Sequence, residues 1–241
     1  MRSWLAGASA IAVSFCAAPG NAASVRVAPT TADLLAPDSA TTFNLRNEDD
    51  RPLNVQIRVF RWTQTGGVDR LAPTADVVAS PPSQTLGPNA DYVVRVVRAA
   101  KQPVAGEESY RVVVDELPDP SRRQPGVVNI VLRYSLPVFF RSADAGRSQV
   151  SWTVRQNGNA LAVTAKNAGQ QRLKIADLKL ADGTGRSITL GSGLVGYVLG
   201  NATMQWSFPA QGIRVSGPTV KLSAQSDGGE INATAAVQTG R

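Results

Sequence analysis

The stretch VVNIVLRYSLPVFFR, residues 127–141, has an alternating pattern that predicts a β-strand. Its even positions from Val128 to Val138 are all apolar or aromatic, whereas its odd positions are mixed. Successive side chains of a strand point to opposite faces, so the pattern gives one continuous apolar face. Pro137 lacks a backbone N–H and therefore favours the edge of a sheet. A long apolar strand at a sheet edge is an aggregation hazard that soluble proteins normally blunt, so this strand requires an explanation.

The rest of the chain also shows strand-like segments separated by turn-forming residues, and it predicts an all-β protein. The candidate strands of the first half are SVRVAP, TTFNLRN, NVQIRVFRWT, DYVVRVVR and SYRVVVDEL. After Arg141, residues 142–149 are small and polar and fit a linker. A second strand series follows, and its QNGNA motif favours a tight hairpin. We therefore expect two immunoglobulin-like sandwiches, at 24–141 and 150–241.

The N-terminal residues 1–23 fit a secretory signal peptide. Arg2 is followed by mostly apolar residues 4–18, and small residues Ala22 and Ala23 fit a cleavage site. The alternative is an N-terminal membrane anchor. No later run approaches about 20 consecutive apolar residues, so we expect no membrane insertion of the mature chain.

The composition argues against an enzyme and against a metal or cofactor. The 241 residues include no histidine, and the one cysteine, Cys16, lies in the signal peptide. The mature chain therefore lacks thiol catalysis and Cys/His zinc sites, and it shows no glycine-rich phosphate loop. Loss of Arg2 lowers the net charge from +7 to +6. The basic residues alternate with apolar ones and form no run, so nucleic acid is not an expected partner.

Several stretches, in the same order, resemble the PapD-like periplasmic chaperones of the chaperone–usher pilus pathway. They are FNLRNEDDRPLNVQIRVFRWTQ with Asn47, Pro52 and Trp62, SPPSQTLGPNADYVVRVVR with Arg95, EESYRVVVDELPDP with Tyr110, Glu116 and Pro118, and LRYSLPVFFR; NAGQQRLKIADLKL and GYVLGNATMQW in the second half also fit. The resemblance implies two immunoglobulin-like sandwiches set at an angle around a cleft. It also implies a non-enzymatic, periplasmic protein whose partners are pilus subunits and an outer-membrane usher.

The resemblance assigns roles to particular residues. The edge strand of such chaperones completes a subunit that lacks its own last strand, a form of β-augmentation for which chaperone–pilin pairs are a standard example. Matched by position, Val128, Ile130 and Leu132 are the donor side chains. Glu116 and Arg141 match members of an ion network between the domains. The alternative for the even face is that it forms ordinary core of the protein's own sandwich.

The sequence departs from the family where the subunit's C-terminal carboxylate is bound. Relatives have a lysine immediately before the LFYR-like tetrapeptide, here VFFR, and Pro137 stands in its place. They also have an arginine on their first strand, and the corresponding stretch here, around APTTAD at 28–33, has none. These departures suggest the archaic or alternative branch of the family. Arg95 and Arg133 are the candidate replacements, although each could equally be a structural or surface arginine.

Two other functions remain open from the sequence. A secreted two-domain pilin or adhesin would share the β fold. A carbohydrate-binding module could use Trp62, Trp152 and Trp206 as a sugar platform, although their strand contexts are more typical of core positions.

Overall fold

The computed structural model describes residues 25–118 and 131–238, and the described part is built of strands, as predicted. The signal peptide and the donor residues Val128 and Ile130 lie outside the described residues. The strands of the first half are β1 (Val25–Ala28), β2 (Ala32–Leu35), β3 (Ala40–Asn47), β4 (Leu53–Thr65), β5 (Val68–Pro73), β6 (Val77–Ser80), β7 (Ser83–Leu86), β8 (Asp91–Arg98), β9 (Glu107–Leu117) and β10 (Arg133–Arg141). Those of the second half are β11 (Val150–Asn157), β12 (Ala160–Asn167), β13 (Leu173–Ala181), β14 (Ser187–Val198), β15 (Thr203–Pro209), β16 (Thr219–Ser226) and β17 (Gly229–Val237).

The first half forms a sandwich of two sheets. One sheet has the order β1-β3-β8-β6, and the other has the order β2-β10-β9-β4-β5, with β7 paired to β4. Alternate residues of the strands face inwards, so the two sheets share one apolar core. Its fully buried members include Phe43, Leu45, Val96, Tyr110, Val112, Val138 and Phe140.

The second half forms one seven-stranded sheet, in the order β14-β13-β16-β17-β11-β12-β15. One core cluster includes buried residues from β11, β12, β13, β14, β16 and β17, so the sheet wraps around a common interior. The QNGNA hairpin is confirmed: Asn157 pairs with Ala160, and Gly158 at the turn has φ 57°. Glycine is favoured there because a side chain is disfavoured at positive φ.

A buried asparagine occupies the same kind of corner in both halves. Asn47 and Asn167 each donate Nδ2 to three backbone carbonyls, and each Oδ1 accepts the N–H two residues later. The carbonyls belong to Arg51, Leu86 and Gly87 in the first half and to Gln171, Val198 and Leu199 in the second. The receiving turns read LGPNA at 86–90 and LGNA at 199–202, with asparagines at φ 53° and 54°. The two halves therefore share a stabilising motif as well as a fold class.

The two halves meet through an aromatic cluster and a glutamine side chain. Trp62 and Phe139 of the first half pack with Tyr197 and Leu199 of the second, and ring centroids lie 5.5–5.9 Å apart. The Gln64 amide donates to Tyr197 O at 2.8 Å and accepts from Leu199 N at 2.9 Å. These contacts bring the six-stranded sheet against β14.

Residues 142–149, between β10 and β11, contain no strand. They are nevertheless held by hydrogen bonds from Ser142 N to Gly106 O and from Gln171 Nε2 to Ala145 O, at 2.9 and 2.7 Å. The expected linker is thus fixed to both halves.

Candidate functional site

Strand β10 has one open edge over part of its length. Strand β9 pairs with all of Arg133–Arg141, but β2 pairs only with Val138–Arg141 on the other edge. No strand in residues 25–118 or 131–238 covers that edge beside residues 133–137. Glu116 N donates to Leu132 O at 2.9 Å, so the even residues of β10 direct their backbone groups to β9. The backbone groups of the odd residues therefore point outwards.

Pro137 belongs to the outward-pointing set, because it is an odd residue. Its missing N–H thus falls on the open edge and leaves the ladder with β9 intact. The predicted edge position is confirmed. The open run ends at this proline, immediately before the pairing with β2 begins at Val138.

The even face of β10 has two parts, and the sequence pattern did not separate them. Leu136 and Val138 are buried in the protein's own sandwich, and Tyr134 packs against the same core. Leu132 lies on the same face, two residues before Tyr134 towards the outer end, and it is half-buried. The inner part of the face is therefore ordinary core, as the alternative had it. Leu132 alone of the three predicted donor side chains lies within the described residues.

The odd face of β10 is one side of a cleft, and three strands contribute rows of side chains to it. Directly paired residues share a face, so the rows follow from the strand register. From the outer end inwards they are Gln56–Asp115–Arg133, Arg58–Val113–Ser135 and Phe60–Arg111–Pro137. Trp62 and Phe139 come next, where the two halves meet.

The outer row and its neighbour contain a charged cluster of Arg58, Asp115 and Arg133. Asp115 is buried and accepts hydrogen bonds from Arg58 Nη2 at 2.6 Å and from Arg133 Nε. Burial alone would raise the pKa of Asp115, but the two guanidinium hydrogen bonds outweigh it and hold that pKa below its usual value. The Asp115 carboxylate therefore fixes the orientation of both guanidinium groups.

Arg111 is a cation at the inner end of the cleft, and sequence reasoning missed it. It pairs with Pro137 across the ladder, and its guanidinium lies 3.7 Å from the centre of the Trp62 ring. Its Nη1 donates to Ser135 O at 3.2 Å, and burial lowers the pKa of the guanidinium. No carboxylate of the described chain forms an ion pair with it. The only sequence signal was a basic residue at an alternate position of SYRVVVDEL.

The structure separates the two predicted anchor residues. Arg95 is exposed on the outer face of β8, in the four-stranded sheet, whereas Arg133 lies on the cleft face of the other sheet. The inward residues of β8 are Val94 and Val96, so the alternation directs Arg95 away from the cleft. This placement argues against Arg95 as an anchor.

The predicted ion pair of Glu116 with Arg141 does not fit the register. Glu116 N bonds Leu132 O at one end of the β9–β10 ladder, and Arg141 pairs with Glu107 at the other. Nine residues separate Leu132 from Arg141, which is about 30 Å of strand. The register therefore argues against a direct ion pair between Glu116 and Arg141.

The ion network between the halves instead centres on Arg172. Its guanidinium bonds Glu107 at 2.7 Å and Asp33, and it lies 3.4 Å from the centre of the Phe139 ring. The Arg172 backbone N–H also donates to Glu107 Oε1 at 2.9 Å. The Glu107 side chain is 2% exposed, and burial raises its pKa although Arg172 opposes the shift. This contact ties β2 and β9 to the second half.

Other predicted sites receive no support from the geometry. Trp62 and Trp152 are buried and Trp206 is half-buried, so they form no exposed platform. Within the described ranges no three acidic, histidine or cysteine side chains converge as a metal site would require. The described residues also contain no helix long and apolar enough to cross a membrane.

Comparison with protein families identifies the class. The model of the pili and flagellar-assembly chaperone family, PapD N-terminal domain, matches residues 24–145. The chain belongs to this family of pilus chaperones. A comparison with curated protein sequences gave no match.

Solved structures of pilus chaperones share the fold of the whole described chain. A chain of the CsuC–CsuE chaperone–tip adhesion subunit complex from archaic Csu pili of Acinetobacter baumannii is 24% identical, with a TM-score of 0.67; the match covers 91% of this chain and 100% of that one. A chain of the Salmonella enterica SafA pilin–SafB chaperone complex is 20% identical with a TM-score of 0.58, covering 90% and 98%. The E. coli chaperone DraB is 19% identical with a TM-score of 0.57, covering 89% and 97%. The predicted two-sandwich fold is confirmed.

Proposed function

We propose that this protein is a periplasmic, non-enzymatic chaperone that holds pilus subunits by pairing the open edge of β10 with a subunit strand, and then delivers them to an outer-membrane usher. The observation that carries the proposal is the open edge beside residues 133–137, at the rim of a cleft, in a member of a pilus-chaperone family. Arg133 and Ser135 present outward backbone groups there, and a subunit strand could bond to both.

Apolar side chains of the donor segment would add to the backbone bonds. Burial of Val128, Ile130 and Leu132 in a subunit is worth about 1.5–3 kcal/mol each. The gross gain of about 5–9 kcal/mol is reduced by the cost of association and ordering. Leu132 is half-exposed in the free protein, so it retains surface to bury.

We assign the carboxylate anchor to Arg111, with Arg133 further out along the same face. The family resemblance places a lysine at the position of Pro137, and Arg111 shares the cleft face with that proline because the two residues pair directly. Trp62 and Tyr197 shield the guanidinium, and a partly desolvated guanidinium binds a carboxylate strongly. An anchored C-terminus would lie where the two halves meet. The absent lysine and the likeness to the Csu complex both support the archaic branch.

The donor edge is tested by Leu132→Asp, with Val93→Asp as the matched control. Val93 is 58% exposed on the outer face of the four-stranded sheet, and Leu132 is half-buried, so both changes add a charge at an apolar strand position that lies outside the core. Tagged protein is co-produced with a pilus subunit, and captured subunit is measured. Leu132→Asp should abolish capture because a carboxylate would be buried without a partner, while its β circular dichroism and the capture by Val93→Asp stay normal. Normal capture by Leu132→Asp would refute the donor role.

The anchor is tested in the same assay by Arg111→Gln against Arg95→Gln. Loss of one partner of a buried charged pair costs about 2–5 kcal/mol, which is enough to remove the complex from a pull-down. Only Arg111→Gln should lose subunit. Loss with Arg95→Gln alone would restore the first interpretation and exclude the cleft site.

A further inference from the structure

A second polar site lies at the outer end of the open edge of β10. The groove there has a volume of about 420 Å³. Its lining includes Arg58, Asp115, Glu116, Val131, Leu132 and Arg133. Val131 is 45% exposed beside the same edge. A chain segment paired with β10 would therefore pass directly over this groove.

The groove contains guanidinium N–H groups that are free to bind an anion. Asp115 engages Arg133 through Nε only, and the two terminal nitrogens of Arg133 have no hydrogen-bond partner within residues 25–118 and 131–238. The side chains of Arg133 and Arg58 are 67% and 44% exposed, whereas that of Asp115 is 11% exposed. Two guanidinium groups on one buried carboxylate leave one positive charge on the cleft face. Glu116 also lines the groove, from the other face of β9, and its carboxylate accepts from Leu132 N at 3.4 Å.

The direction of a bound strand follows from the proposed anchor. Strand β10 runs from Arg133 at the outer end towards the junction of the two halves. A strand whose C-terminal carboxylate reaches Arg111 beside Pro137 must run the same way, so it lies parallel to the open edge. Four residues separate Pro137 from Arg133, or about 13 Å of strand. Side chains alternate with a period of two, so the residue four before the C-terminus faces Arg133.

We propose that Arg58, Asp115 and Arg133 form a subsite for an acidic side chain of the subunit, four residues before its C-terminus. Arg133 binds the carboxylate with its free terminal nitrogens, and Asp115 is a positioning residue that holds both arginines at the groove. The subsite sets which strands fit the edge and in which register. This inference rests on the proposed function, and in particular on the anchor at Arg111.

The test uses synthetic strand peptides of alternating Val and Thr, labelled at the N-terminus and ending in a free carboxylate. One peptide has Glu four residues before its C-terminus and a second has Gln there. A third has Glu three residues before the C-terminus, on the opposite face, and a fourth repeats the first with a C-terminal amide. Binding to the full mature protein, wild type, Arg133→Gln and Arg111→Gln, is measured by fluorescence anisotropy.

The wild type should bind the first peptide about twofold to fivefold more tightly than the second or third, which is the range of a partly exposed ion pair. Arg133→Gln should abolish that preference and leave the effect of the terminal amide unchanged. Arg111→Gln should abolish the effect of the terminal amide and leave the preference for Glu unchanged. A Glu preference that persists in Arg133→Gln, or that is absent in the wild type, would overturn the subsite while the anchor stands. If Arg133→Gln removes the effect of the amide, the cluster binds the terminal carboxylate and the inference is wrong. If none of the peptides binds, both the subsite and the donor edge are refuted.

Discussion

Replacing Arg172 by leucine should destabilise the contact between the two halves in a pH-dependent way. The guanidinium is the charged partner of Glu107, and the two side chains are only 12% and 2% exposed. Leucine keeps much of the packing against Phe139 but removes the charge. Glu107 is then left with one hydrogen bond, from the backbone N–H of residue 172.

The magnitude follows from the burial of that pair. Removing one partner of a buried ion pair costs about 3–5 kcal/mol when the other partner stays charged. Burial already raises the pKa of Glu107, and Arg172 opposes that rise, so the variant should raise it further. A folded-state pKa above the unfolded value gives stability that is fully present below the unfolded pKa and is lost as pH rises through the folded pKa. The cost of Arg172→Leu should therefore be small near about pH 5 and reach its full size near about pH 8.

Urea unfolding followed by tryptophan fluorescence measures this cost, because Trp62 packs in the same contact. The double variant Glu107→Gln/Arg172→Leu is the control. It has no buried carboxylate at this position, so the pH dependence introduced by Arg172→Leu should disappear. A cost below about 1 kcal/mol at about pH 8, or one that does not change with pH, would refute a buried ion pair between the halves.

Two further changes test the fold and the edge. Asn47→Ala and Asn167→Ala should each lower the free energy of unfolding by about 1–3 kcal/mol in urea, because buried backbone groups lose their hydrogen-bond partners. Asn44→Ala, on the exposed face of β3, is the control and should cost less than about 0.5 kcal/mol. Equal costs for all three variants would contradict the shared corner. Pro137→Val restores an N–H on the open edge and should increase self-association in light scattering, and an unchanged mass at high concentration would show that this proline does not limit edge pairing.

Local patterns predicted most of the strands. Alternation in NVQIRVFRWT and DYVVRVVR reproduces β4 and β8, and Asn-Gly chemistry gives the β11–β12 turn. These features depend on neighbouring residues and therefore appear in the sequence. The short strands β2, β6 and β7 were missed because four residues give too little alternation, and partners distant in the sequence hold them in place. Strand β5 was missed because it is exposed along its whole length and so shows no apolar alternation, although it forms a hairpin with β4.

The candidate site depends on sheet order and register, which the sequence does not display. Arg95 and Arg133 look alike as strand arginines, yet they lie in different sheets. Arg111 can be recognised as a candidate anchor only because the register pairs it with Pro137. Arg172 reaches Glu107 across 65 positions of sequence, and no local pattern marks that contact. The even face of β10 likewise reads as uniform, although its inner part is core.

Hydrogen–deuterium exchange of the backbone amides, in the free protein and in its complex with a pilus subunit, tests the donor edge most directly. The amides of Arg133 and Ser135 point outwards from β10 and should exchange quickly in the free protein. In the complex they should become strongly protected, while the amides of β6, at the edge of the other sheet, stay unchanged. Protection confined to β6, with Arg133 and Ser135 exchanging as fast as before, would contradict pairing at the β10 edge.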